Sequence, residues 1–161
     1  DAGVFADDVR VELLEGKVIE RTPQGLEHTT AIRRLTMMLT TAYAEVAEVG
    51  VRLPFAASDF SMPEPDLCVS PGHLGKAYAA QALLVVEVAN TSLRHDRIVK
   101  GAVYAAAQVP EYWLVDVVHQ CIEVFTEPLE DHYGACRIVR PGDRLPTLEG
   151  RYVDVAAVFA P

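Results

Sequence analysis

The chain has 161 residues, half of them apolar and 23% charged, the balance of a folded globular protein and not of a disordered one. No run approaches the roughly 20 apolar residues of a membrane span, and no charged-then-apolar leader opens the sequence, so membrane and secreted-scaffold classes are set aside. Lysine and arginine number 14 against 23 aspartates and glutamates, a net charge of −9. That balance counts against a general nucleic-acid binder, whose grip on phosphates comes mainly from cations.

At this length one domain over residues 1–161 is expected, with an interior large enough for a core. The opening Asp1-Ala2-Gly3-Val4-Phe5 reads as a start from which a few natural residues are missing. Val9 to Arg21 reads as a β-hairpin turning at Glu15-Gly16. The longest helical signal runs from Leu26 to Glu48. Ile32, Leu35, Leu39, Ala42 or Tyr43, and Val46 recur at three- and four-residue steps, and Gly50 is expected to end the helix. Val51 to Ala57 is an expected strand, Ser58 to Pro65 a proline-bearing turn, and Asp66 to Ser70 a short strand stopped by Pro71-Gly72.

His73 to Gln81 is ambiguous and admits one or two helical turns. Leu83 to Ala89 is the clearest buried strand, apolar on both faces but for Glu87. Asn90-Thr91-Ser92 breaks it and can cap a helix from Leu93 to Gln108, closed by Val109-Pro110. Tyr112 to Asp116 is another buried strand, and Cys121–Glu127 with Tyr133–Arg140 forms an antiparallel pair. Pro141 to Gly150 is expected to be loop and Val153 to Phe159 a short terminal helix. The order of elements predicts an α/β domain, a sheet with helices on its faces and β additions at both ends. Cys68, Cys121 and Cys136 make no Cys-x-x-Cys pair, so neither a zinc site nor a disulfide framework is indicated. The first two read as buried inert thiols, and the compartment as reducing cytoplasm.

Glu87 is the most informative residue. An unpaired carboxylate inside a seven-residue apolar strand is expensive, so a metal ion, a basic side chain or a retained proton has to compensate it. Strand alternation puts it on one face with Val85 and Ala89. Asp66, after Glu64-Pro65, leads a second apolar strand and by itself reads as a turn organiser. If the two strands are neighbours, the two carboxylates converge, an arrangement that favours a shared proton or a hard divalent cation such as Mg²⁺ or Mn²⁺. Asp96, Lys100 and Tyr104 share a helical stripe at steps of four. A helical wheel puts Ile98, Val99, Ala102, Val103, Ala105 and Ala106 on the buried arc and Lys100 outside it, with a stem long enough to reach the sheet edge. His28 belongs to the stripe of its helix that faces the sheet, where a lone histidine is ordinarily a satisfied core residue. Glu12, between Val11 and Leu13, is either exposed by alternation or a partner for another polar group.

The segments Val11–Gly16, Glu27-His28, Glu64-Pro65-Asp66-Leu67, Leu84–Val88, Asp96–Lys100 with Tyr104, and Val109–Asp116 carry a resemblance. The chain resembles the PD-(D/E)XK restriction endonuclease-like superfamily and, within it, the Uma-two family. The resemblance implies a single restriction endonuclease-like domain, a mixed sheet flanked by helices with an N-terminal β-hairpin and C-terminal β additions. It implies Asp66 and Glu87 as ligands of Mg²⁺ or Mn²⁺. The superfamily's lysine ordinarily lies two positions beyond the second acid, here Ala89, so the resemblance passes that role to Lys100 on the next helix. His28 and Glu12 are carried over as supporting site residues. Ala89-Asn90-Thr91-Ser92 departs from the Ser-Pro-Ser-Thr-like turn of relatives.

The activity implied is metal-dependent hydrolysis of nucleic-acid phosphodiester bonds, with DNA the first expected substrate. Arg94, Arg97 and Arg33 or Arg34 would face the phosphates, and a homodimer is a reasonable assembly by analogy. The rival, favoured by the net charge and by Ala89, is a non-catalytic partner-binding or dimerising module that retains the fold. A third reading is a phosphohydrolase acting on small nucleotides.

Overall fold

The structure, a computed structural model, describes residues 10–20, 25–72, 75–147 and 150–160. The expected hairpin ends Val9 and Arg21, the opening residues and His73 lie outside them. Strands β1 (Val11–Leu14) and β2 (Lys17–Glu20) pair antiparallel around Glu15-Gly16, both in left-handed backbone conformations, as a tight hairpin turn requires. Helix α1 (Leu26–Tyr43) follows. The central sheet then runs β3 (Ala47–Val51), β4 (Leu67–Pro71), β5 (Leu84–Ala89), β6 (Glu111–Asp116), β7 (Cys121–Pro128) and β8 (Tyr133–Val139), neighbours in sequence order. Every adjacent pair is antiparallel except β5 and β6. A parallel pair needs a crossover, and the helical segment between residues 93 and 106 supplies it.

Each face of the sheet has its own core. Ala31, Ile32, Leu35 and Leu39 of α1 pack with Leu67, Val86, Val88 and Trp113 on one side. On the other, Val85, Ala89, Tyr112 and Leu114 pack with Phe55 and Tyr104. The alternation expected for β5 holds, since Val86 and Val88 face α1 while Val85, Glu87 and Ala89 face the crossover. At the C-terminus β9 (Arg144–Pro146) pairs with β10 (Tyr152–Asp154), and α4 (Val155–Phe159) starts where the Asp154 carboxylate accepts from the amides of Ala156 and Ala157.

Several boundaries differ from the sequence reading, each because sheet pairing or backbone chirality overrides local periodicity. Helix α1 ends at Tyr43 and not Glu48, because residues from Ala47 pair with β4; Gly50 lies inside β3, opposite Cys68. The strand expected over Val51–Ala57 keeps only Val51, because Arg52 takes a left-handed conformation (φ 50°) that turns the chain off the sheet. No helix forms among the described residues of the His73–Gln81 stretch; Ala79 instead bridges to Phe55. The expected loop Pro141–Gly150 contains β9, and the terminal helix starts at Val155, after a strand that holds Val153.

The crossover is three pieces: α2 (Leu93–His95), a π-helical turn (Asp96–Lys100) and α3 (Gly101–Ala106). The wider π-turn rotates the stripe, so Asp96 and Lys100 are buried while Ile98 is 57% exposed, the reverse of the ideal wheel.

Leu35→Ala should cost about 2–5 kcal/mol in urea denaturation, since Leu35 is fully buried under the sheet. Met37→Ala, exposed on the same helix, should change stability by less than about 0.5 kcal/mol.

Candidate active site

The β4–β5 ladder pairs Leu67 with Val86 and Cys68 with Val85. Asp66 directly precedes Leu67 and Glu87 directly follows Val86, so the two carboxylates lie at the same end of the paired strands and line one cleft. The Asp66 side chain is anchored there, its Oδ2 accepting from the Val88 amide at 2.9 Å. His28, in the first turns of α1, brings Nε2 to 3.0 Å from the same oxygen, and Arg52 Nε lies 3.6 Å from Oδ1. His28 is buried, and its Nδ1 has no hydrogen-bond partner among the described residues.

Glu87 is tied to the crossover. Its Oε1 accepts from Lys100 Nζ at 2.9 Å and from the Tyr104 hydroxyl at 2.6 Å. Lys100 also lies 3.1 Å from Glu12 Oε2, which accepts the Glu64 amide as well. Of the two readings of Glu12, the second holds: it points inward beside Leu14 and partners a polar group. Glu12, His28, Asp66, Glu87 and Lys100, the five residues singled out in the sequence, all line one cleft of about 400 Å³. Asn90, Thr91, Ser92, His95 and Asp96 form another wall of it.

The charges are unbalanced. Burial pushes the Glu87 carboxyl up to about 8; Lys100 opposes the rise, and the charges of Asp66 and Asp96 add to it. Burial also raises Asp96, against Lys100 and the Ser92 hydroxyl. For Lys100 burial pulls downward, but Glu87, Glu12 and Asp96 outweigh it, so the ammonium holds its proton more firmly than an ordinary lysine. Three carboxylates, Glu12, Glu87 and Asp96, thus crowd one buried lysine, and Asp66 lines the same cleft.

Other expectations fare differently. Arg97 is held by a two-pronged pair with Glu123, and Arg34 donates to the carbonyls of Val158 and Ala160 at the end of α4. Of the arginines expected to face phosphates, Arg97 and Arg34 thus have partners of their own, and Arg33, Arg94 and Arg97 are exposed. Sequence reasoning left out Arg52, whose left-handed position gives no pattern signal. It also gave Tyr104 no role, although its spacing four residues after Lys100 was the clue.

This fold and its paired carboxylates define a restriction endonuclease-like protein. Residues 3–156 match the model of the Uma2 family, described as "Putative restriction endonuclease", and the chain belongs to that family. Among solved structures, it resembles a putative nuclease belonging to DUF820 from Anabaena variabilis ATCC 29413, with 16% identity, a TM-score of 0.74, and 93% of this chain and 89% of that one covered. The type IIG restriction endonuclease BpuSI matches at 17% identity and a TM-score of 0.48, over 82% of this chain and 15% of that one. A comparison with curated proteins finds no match. Family membership supports a nuclease function, and no helix among the described residues is long and apolar enough to cross a membrane.

Removing Lys100 strips two buried carboxylates of their shared cation, so Lys100→Met should lose about 3–5 kcal/mol in urea denaturation. Glu87 supplies a pH signature. Its pKa is raised from 4.5 to about 8, so the stability it contributes is full below pH 4.5 and is lost as pH rises through about 8. Glu87→Gln removes that loss. The variant's Tm minus the wild-type Tm, in chelator, should grow between those two pH values; a difference independent of pH would refute the raised pKa.

Proposed function

We propose that the protein is a metal-dependent nuclease hydrolysing nucleic-acid phosphodiester bonds at this cleft, with DNA as substrate. The observation that supports the reading is the pair of buried carboxylates, Asp66 and Glu87, brought to one cleft together with His28 and Lys100. The donors fit a hard divalent ion. Mg²⁺ takes one or two carboxylates and keeps several waters, and among the described residues no group of three or more His, Cys, Asp or Glu is placed to hold a metal ion. The Nδ1 of His28, on the ring whose Nε2 meets Asp66, is a buried polar atom with no hydrogen-bond partner among the described residues. Asp66 and Glu87 would hold Mg²⁺ or Mn²⁺, which when bound supplies Lewis acidity toward water and phosphate oxygen.

The chain's own residues do the rest. Lys100, with three donors, orients the attacking water or steadies charge developing on the phosphate. Glu12 holds its ammonium beside Glu87 from the far wall. His28 holds Asp66 in place, and its Nδ1 is available to pass a proton. One domain suffices for this arrangement, since the hairpin, α1, the sheet and the crossover all contribute to it.

The rival, a non-catalytic module of the same fold, draws support from the net charge of −9 and from Arg97 and Arg34 being engaged with Glu123 and with backbone carbonyls. Titration separates the two, because a scaffold gives no Mn²⁺ binding heat that disappears in Asp66→Ala. For the nuclease reading, Mn²⁺ added to chelator-treated protein is expected to restore DNA cleavage. Glu87→Gln should lower the rate by at least about 10²-fold. Cleavage that survives both the chelator and Glu87→Gln overturns the proposal.

A further inference from the structure

Two buried donors meet a single oxygen of Glu87, and they differ in kind. Lys100 is charged and divided, reaching Glu12 Oε2 at 3.1 Å as well as Glu87 Oε1 at 2.9 Å. Tyr104 is neutral and undivided. Its hydroxyl lies 2.6 Å from Oε1 and has no other partner among the described residues. Its ring is fully buried, with the Phe55 centroid at 6.3 Å and the Tyr112 centroid at 5.2 Å.

The terminal torsion of a glutamate is soft, and a carboxylate held by one donor alone samples a broad range of rotations. Among the described residues none donates to Oε2, and Glu87 lines the cleft. A neutral donor on Oε1 can fix the rotation without placing a positive charge where a cation would have to bind; Lys100 cannot. We propose that Tyr104 is a positioning residue that fixes the Glu87 carboxylate through Oε1, turning Oε2 to a divalent cation, and that it keeps this hold when Lys100 turns toward the phosphate. This inference rests on the metal-dependent reading above.

Tyr104→Phe keeps the ring and removes only the hydroxyl. Tyr112→Phe is its control: an equally buried ring in the same cluster, whose hydroxyl donates to the Asp96 carbonyl and not to Glu87. Titration calorimetry of metal-free protein with MnCl₂ is expected to show Tyr104→Phe weakening binding by about 10- to 100-fold, the usual effect of removing a hydrogen bond to a ligating carboxylate. Tyr112→Phe should leave it unchanged. Unaltered affinity in Tyr104→Phe, or an equal loss in both variants, overturns the proposal. Wild-type protein with no Mn²⁺ heat removes the metal reading itself and this inference with it.

Should Tyr104→Phe not fold, fluorine NMR of wild type carrying 3-fluorotyrosine reads the same contact. With Tyr112→Phe identifying one of the buried signals, another buried signal is expected to move with Mg²⁺ occupancy; none moving overturns the proposal.

Discussion

The structure turns on one ammonium group in a crowd of carboxylates. Lys100 joins three parts of the chain: Glu12 on the distant hairpin, Glu87 on β5 and its own crossover helix. A buried ion cluster of this kind is a weak source of net stability, because desolvation cancels most of the attraction. It is a strong source of specificity, since any arrangement that separates the partners strands a charge in the core. The hairpin pairs with itself and is hydrogen-bonded to the loop over residues 60–64, and the lysine ties its inner side to the sheet.

The topology explains why acidic groups gather at this end. Up to β5 the sheet is antiparallel, so the start of β4 and the end of β5 lie side by side, which brings Asp66 to Glu87. At β5 the sheet turns parallel, and the chain has to leave the end of that strand and return along a helix. The helix therefore begins next to the carboxylates, and its first turns can reach them. In an ordinary α-helical register Ile98 would face the core. The π-turn over Asp96–Lys100 instead directs Asp96 and Lys100 inward, where Lys100 meets Glu87 and Glu12.

How much of this was legible in the sequence follows from what kind of signal each part leaves. The strand of Glu87 was plain, because a carboxylate in a run of Leu and Val breaks the pattern, and its facing was fixed by alternation. The pairing with Asp66 was legible as a conditional, since neighbouring strands in sequence are commonly neighbours in space. Lys100 was misplaced by the wheel because periodicity assumes an α-helix, and nothing in Asp96-Arg97-Ile98-Val99-Lys100 announces a π-turn. The end of α1 was overrun for a related reason: Glu45 and Val46 continue the helical period, but pairing of Ala47–Val51 with β4 decides where the helix stops. Glu12 could be read two ways until a partner 88 positions along the chain was in view, a distance no local pattern spans.

The charge balance bears on how such a site would meet a polyanion. A net charge of −9 and a cleft with more carboxylates than cations repel phosphate at long range. Arg34 and Arg97 are engaged with partners inside the fold and do little to offset this. On the proposed reading, the carboxylates that repel the substrate are also the groups that would hold the divalent ion, and each ion bound adds two positive charges at the point where the phosphate has to sit. Metal and substrate would then bind interdependently, each raising the affinity for the other, as linkage requires of any two ligands whose binding free energies are coupled. The deficit of positive charge works in this view as a condition on binding: a protein without its ion would have little hold on nucleic acid, and so little occasion to cut or sequester it.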